Sequence, residues 1–180
     1  GVKGMKKRTK ALISIVEEMG YDIQGYRNSF KLRNKISKTI YLAQIFGLDL
    51  GYRFSWYVVG PNCSTITNDI YRYLRHTQKF NSNVEDVELT DKTLKILQKV
   101  KNLITGHHYY GFIDSVSWSE ALSKVHYLKH IAAKPKSKTK KSVINAILNN
   151  AQYDYTEKQL ESAWEALKEY NLISEVEKVV

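Results

Sequence analysis

Apolar residues recur every three or four positions along most of the chain, the spacing of helices that bury one face. Residues 7–19 put Ala11, Leu12, Ile15, Val16 and Met19 on one side, and Gly20 closes the run. Residues 31–46 repeat the pattern with Leu32, Ile36, Ile40, Ala43 and Phe46, before Gly47 and Gly51. Residues 52–59, YRFSWYVV, change to an aromatic and β-branched run that predicts a strand, and Gly60-Pro61 predicts a turn. A third helix is expected to about Gln78, with Asn62 or Ser64 as its cap, and a fourth over 90–105. Ser117-Trp118-Ser119-Glu120 has capping-box spacing and predicts a helix to about Ala133. A short helix around Val143–Leu148 follows. Thr156 and Gln159 form a second capping box before Leu160, Ala163, Trp164 and Leu167, and Asn171 ends that helix. The tail from Leu172 is expected to be frayed or extended.

The expectation is a mainly α fold of six or seven helices with a small strand or hairpin element, winged-helix-like. Only two prolines and nine glycines interrupt the sequence, in keeping with long helices. Residues 1–133 are expected to form a helical core carrying the Gly-Pro turn, 134–141 a basic linker, and 142–180 a helix pair. At 180 residues these amount to one structural unit.

Composition bears first on compartment. No uncharged apolar run approaches the roughly 18 residues of a membrane helix. Cys63 is the single cysteine, so neither an internal disulfide nor a cysteine-rich zinc site is expected. Basic residues precede Ala11–Val16, but Glu17 and Glu18 cut the apolar stretch short, so a secretory leader is not expected. The reading is a cytoplasmic protein without membrane association.

Charge is distributed unevenly. The net charge is +10, from 28 Lys and Arg against 18 Asp and Glu. Residues 1–40 hold ten basic and three acidic side chains, residues 131–150 five and none, and residues 151–180 three and seven. An excess of this kind attracts acidic partners, and its asymmetry favours oriented binding.

The stretch KLRNKISKTIYLAQIFGLDLGYRFSWYVVGPNCSTITNDIYRYL, residues 31–74, resembles the uncharacterised prokaryotic YwgA-type family. That family carries a Q-K-x-V-Y-L-L-Q helix followed by Y-x-F-x-W-Y-x-x-G-P-Y-S. Lys38, Tyr41, Leu42, Gln44, Tyr52, Phe54, Trp56, Tyr57, Gly60, Pro61 and Asp69 fall on the pattern, whereas Asn62, Cys63 and Ser64 depart from it. The stretch is more distantly similar to the Panacea domain of antitoxins. The resemblance implies no reaction; its antitoxin side implies binding to a partner protein such as a toxin. Read as chemistry alone, Tyr52, Phe54, Trp56, Tyr57, Gly60, Pro61 and Asp69 form a folding motif of packed aromatics, a fixed turn and a helix-start carboxylate.

Catalysis is not expected. His126 and His130 are four apart on one helix, but Tyr127 stands where a zinc-protease glutamate would be, and no third ligand is evident. Cys63 lacks an identifiable base, and no nucleotide-binding or nucleophile-elbow motif occurs. No metal and no cofactor are predicted.

Nucleic acid is the first expected partner. Lys31, Lys35 and Lys38 share a helix face with Arg27 and Arg33 nearby, and Lys134, Lys136, Lys138, Lys140 and Lys141 form a flexible cationic arm. Such groups neutralise phosphates with little sequence preference, and interleaved tyrosines stack on unpaired bases. The last helix is a poor groove reader, because Glu157, Glu161, Glu165 and Glu169 make an acidic stripe. That stripe would instead dock on the basic arm, within one chain or across a homodimer. The alternative is an antitoxin-like interaction module that binds an acidic partner protein.

Overall fold

A computed structural model describes residues 5–80, 87–150 and 154–175. Among them are seven α-helices: α1 (Lys7–Glu18), α2 (Phe30–Ile45), α3 (Ser64–Phe80), α4 (Asp91–Thr105), α5 (Ser115–His130), α6 (Lys140–Leu148) and α7 (Glu157–Glu169). Two short strands, β1 (Ser55–Tyr57) and β2 (Gly60–Asn62), pair as a hairpin. The fold is therefore mainly α with a small hairpin. The strand is shorter than the aromatic run suggests, because only three residues a side find ladder partners. Among the described residues no helix is long and apolar enough to cross a membrane.

The chain divides into two compact units. Unit 1 comprises residues 1–55 and 62–101; unit 2 comprises 56–61 and 102–180. The 134–141 segment thus lies inside unit 2.

In unit 1, α1 buries Leu12, Ile13, Ile15 and Val16, and α2 buries Ile36, Ile40, Tyr41, Leu42 and Ala43. Ile66, Ile70, Tyr73 and Leu74 of α3 and Ile96, Leu97 and Val100 of α4 complete this core. Each buried Leu, Ile or Val among them contributes about 1.5–3 kcal/mol when taken out of water. Ser29 caps α2 by accepting from the Leu32 amide at 3.1 Å.

The motif residues of unit 1 lock together. Gln44 donates its amide to the Tyr52 carbonyl at 2.8 Å and accepts from the Tyr52 N–H at 3.0 Å, so a side chain imitates a strand partner. Tyr52 donates its hydroxyl to Asp69 at 2.7 Å, and Arg8 donates to the same carboxylate oxygen at 3.1 Å. The Arg8 guanidinium also lies 4.7 Å over the Tyr52 ring. Asp69 therefore acts as a buried junction for three segments. Its role is not that of the expected helix-start carboxylate. Burial, reinforced by the Asp69 hydrogen bond, pushes the Tyr52 phenol well above its ordinary range.

In unit 2, α5 is buried nearly all round, through Val116, Trp118, Ala121, Leu122, Val125 and Leu128. The Trp118 indole donates to the Leu103 carbonyl at 2.8 Å, and its ring stacks on Tyr110 at 4.6 Å. Val143, Ile144 and Ile147 of α6 and Leu160, Ala163, Trp164 and Leu167 of α7 supply the other faces of this core. The Thr156–Gln159 capping box is present. The one expected at Ser117–Glu120 is not: Asp114 caps α5, accepting from the Ser117 amide at 2.8 Å. The aspartate immediately before the first helical residue takes the cap in place of the serine hydroxyl, and Glu120 is left for other contacts. Asn171, in the left-handed conformation (φ 58°), ends α7 as expected. The tail is anchored at least to residue 175, since Ile173 is buried and Trp164 donates to Glu175 at 2.8 Å.

Candidate nucleic-acid interface

The basic surface of unit 1 is organised by a 3-10 turn over Ile23–Asn28, which joins α1 to α2. Tyr26 in this turn is buried, donates to the Thr67 hydroxyl of α3 at 3.3 Å, and meets the Tyr71 ring edge-on at 5.7 Å. With Tyr26 inward, Arg27 is exposed, and its guanidinium sits 5.7 Å over the Tyr71 ring. Phe30 follows as an apolar platform, 61% exposed. Lys31 is exposed at the first turn of α2.

The remaining α2 candidates are committed to the fold to differing degrees. Arg33 donates to the Tyr26 and Arg27 carbonyls, both at 3.0 Å, closing the end of the 3-10 turn while its guanidinium lies over Phe30 at 5.8 Å. Lys35 is half-buried, its ammonium 5.0 Å from the Tyr21 ring centre. Lys38 is 0% exposed and cannot touch a phosphate on the surface. Its place in an i, i+4, i+7 row hid this, because α2 is buried on most sides from Ile36 to Ala43.

Helix α3 contributes two cations that sequence spacing had left unremarked. Its buried side carries Ile66, Asp69, Ile70, Tyr73 and Leu74, so Arg72 and Arg75 face outward. They follow Tyr71 by one and four residues, on the helix whose Tyr71 supports Arg27. Residues 23–48 contain no acid, and Asp69, the one acid between 50 and 84, is buried. The signal was legible: Arg72 and Arg75 are i, i+3 opposite the α3 apolar stripe.

The second set of candidates belongs to unit 2. Lys138 donates to the Leu128 and Ala132 carbonyls, both at 2.6 Å, satisfying acceptors left open at the end of α5. Lys129 in turn donates to the Lys138 carbonyl at 2.8 Å. Lys140 pairs with Glu165 of the acidic stripe at 2.9 Å, so the stripe and the basic segment do meet within one chain. Lys134, Lys136 and Lys141 are exposed. The segment is therefore tethered by Lys138 and Lys140, in place of the flexible arm expected. A lysine whose stem spans a helix end looks, in sequence, the same as a solvated one.

The histidine pair also has a defined setting. His126 is buried, with its ring 5.1 Å from that of His130. Burial, with His130 nearby, lowers its pKa to about 3, which keeps the ring neutral. Among the described residues no three metal-ligating side chains converge. Cys63 is buried immediately before α3. No family model matches the chain, and no curated protein or solved structure was found to be similar to it.

Proposed function

We propose that unit 1 binds nucleic acid through the surface formed by the 3-10 turn, the start of α2 and the outer side of α3. The observation that carries this reading is Arg27 held over Tyr71, with Lys31 exposed on α2 and Arg72 and Arg75 exposed on α3, whose one acid, Asp69, is buried. Guanidinium groups supported by aromatic rings suit phosphate contacts, and an exposed Phe30 offers a stacking surface for an unpaired base. Such binding is dominated by counterion release and has little sequence preference. Lys134, Lys136 and Lys141 of unit 2 are further candidate phosphate contacts.

The test is an electrophoretic shift with duplex and single-stranded DNA at 50 and 200 mM salt. Four phosphate contacts would weaken binding about a hundredfold between those concentrations. Absence of a shift at 50 mM salt overturns the reading in favour of an acidic protein partner.

A further inference from the structure

Unit 2 contains a second chemical centre, unrelated to the basic surface. Lys124, in the middle of α5, is 2% exposed and lines a cleft of about 400 Å³. Its ammonium nitrogen lies 3.2 Å from the Tyr155 hydroxyl, to which it donates, and Tyr155 donates onward to Glu120 at 3.3 Å. Glu120 is also 4.0 Å from Lys124 directly, one helical turn away. An amine, a phenol and a carboxylate thus form a hydrogen-bonded chain at the cleft. The backbone of Gly60 holds the lysine from the other side, since a Cβ there would come within 2.7 Å of Lys124 Cγ.

The lining narrows the ligand class. Val58, Val59, Phe112 and Ile113 give apolar walls, while Glu120 and Asp154 place negative charge at the same cleft. An anionic ligand is disfavoured by the two carboxylates, and an uncharged one is not. A cavity of this size suits a small molecule. Lys124 is also the kind of lysine that acts as a nucleophile: desolvated, and beside groups that move protons. Burial, partly offset by Glu120, lowers its pKa to about 8, so an appreciable fraction is unprotonated near neutral pH.

We propose that Lys124 captures an uncharged, apolar aldehyde as an imine, with Tyr155 and Glu120 as the proton relay. The Nζ lone pair attacks the carbonyl carbon, forming the C–N bond as the C=O π bond breaks. A proton passes from nitrogen to oxygen to give the carbinolamine. The hydroxyl then takes a second proton and leaves as water while the C=N bond forms, and the remaining nitrogen proton returns to the relay. Amine plus aldehyde thus gives imine plus water, with no oxidant or reductant required.

The experiment uses the full chain, benzaldehyde and cyanoborohydride, which reduces an imine to a stable secondary amine. Peptide mass mapping then compares modification at Lys124 with that at exposed lysines such as Lys31, Lys136 and Lys141. The expected result is Lys124 labelled at least tenfold faster than these, with a loss of tenfold or more in Tyr155→Phe and a preference for benzaldehyde over glyoxylate. Labelling confined to exposed lysines overturns the proposal, as does a glyoxylate preference at Lys124. Circular dichroism on Tyr155→Phe separates loss of the relay from loss of the fold. Neither result depends on nucleic-acid binding.

Discussion

Gly60 and Lys124 touch so closely that no side chain fits between them: a Cβ at Gly60 would lie 2.7 Å from Lys124 Cγ and 3.0 Å from Cε. Gly60 also has φ +91°, a region that side chains disfavour. Gly60→Ala therefore combines backbone strain with overpacking and is expected to cost about 2–4 kcal/mol. Gly51 provides the comparison, with φ +74° and nothing within 4 Å, so Gly51→Ala should cost only about 1 kcal/mol. Urea unfolding of both variants checks this, and equal losses would show that Lys124 yields without cost.

Asp69→Asn should be among the more damaging single changes in unit 1. It removes the charge that holds Arg8 while Tyr52 and Arg8 stay in place. Breaking a buried pair costs about 3–5 kcal/mol, and the partial exposure of Arg8 reduces this to about 2–3 kcal/mol. Tyr52 adds a signature at high pH. Its folded pKa is raised, by burial first and then by Asp69, so its contribution to stability is complete below pH 10 and is lost as pH rises beyond it. Denaturant melts from pH 8 to 11 should show a steeper alkaline decline for the parent chain than for Tyr52→Phe.

Acid should weaken unit 2 through His126. The folded pKa is depressed from 6.5 to about 3, so the unfolded chain takes up the proton first. Stability is therefore full above pH 6.5 and falls as pH drops toward 3, by about 3 kcal/mol at pH 4. His126→Gln should show a flatter profile between pH 7 and 4, whatever its starting stability. Parallel profiles would remove His126 as the cause.

The double variant Arg72→Ala/Arg75→Ala should weaken DNA binding at 50 mM salt about tenfold or more and lower the salt slope by about two. Lys138→Ala should behave differently. It opens two carbonyls at the end of α5, so thermal stability falls while the salt slope stays unchanged. A changed slope in Lys138→Ala with stability intact would return that lysine to the binding surface.

Most helices could be read from the chain because their apolar positions are periodic and their ends carry local signals, as at Thr156 and Gln159. The hairpin was overextended, since aromatic residues such as Tyr52 and Phe54 have the composition of a strand but spend their contacts on Gln44 and Tyr41. Long-range partners were invisible for the same reason. Nothing local distinguishes Lys38 or Lys124, both buried, from Lys31, which is exposed. Lys124 acquires its meaning from Gly60 and Tyr155, at sequence separations that no helical periodicity encodes. Arg72 and Arg75 could have been found, because they oppose a clear apolar stripe.

Unit 2 borrows residues 56–61 from the middle of the stretch that builds unit 1, so the chain passes between the units at 55/56, at 61/62 and at 101/102. No single cleavage can then release two intact pieces. A fragment beginning at residue 102 would carry Lys124, Glu120 and Tyr155 but lack Gly60, the backbone that the lysine stem rests against. Residues 56–61 also precede α5 by more than fifty positions, so the approach of Gly60 to Lys124 joins segments that leave the ribosome well apart.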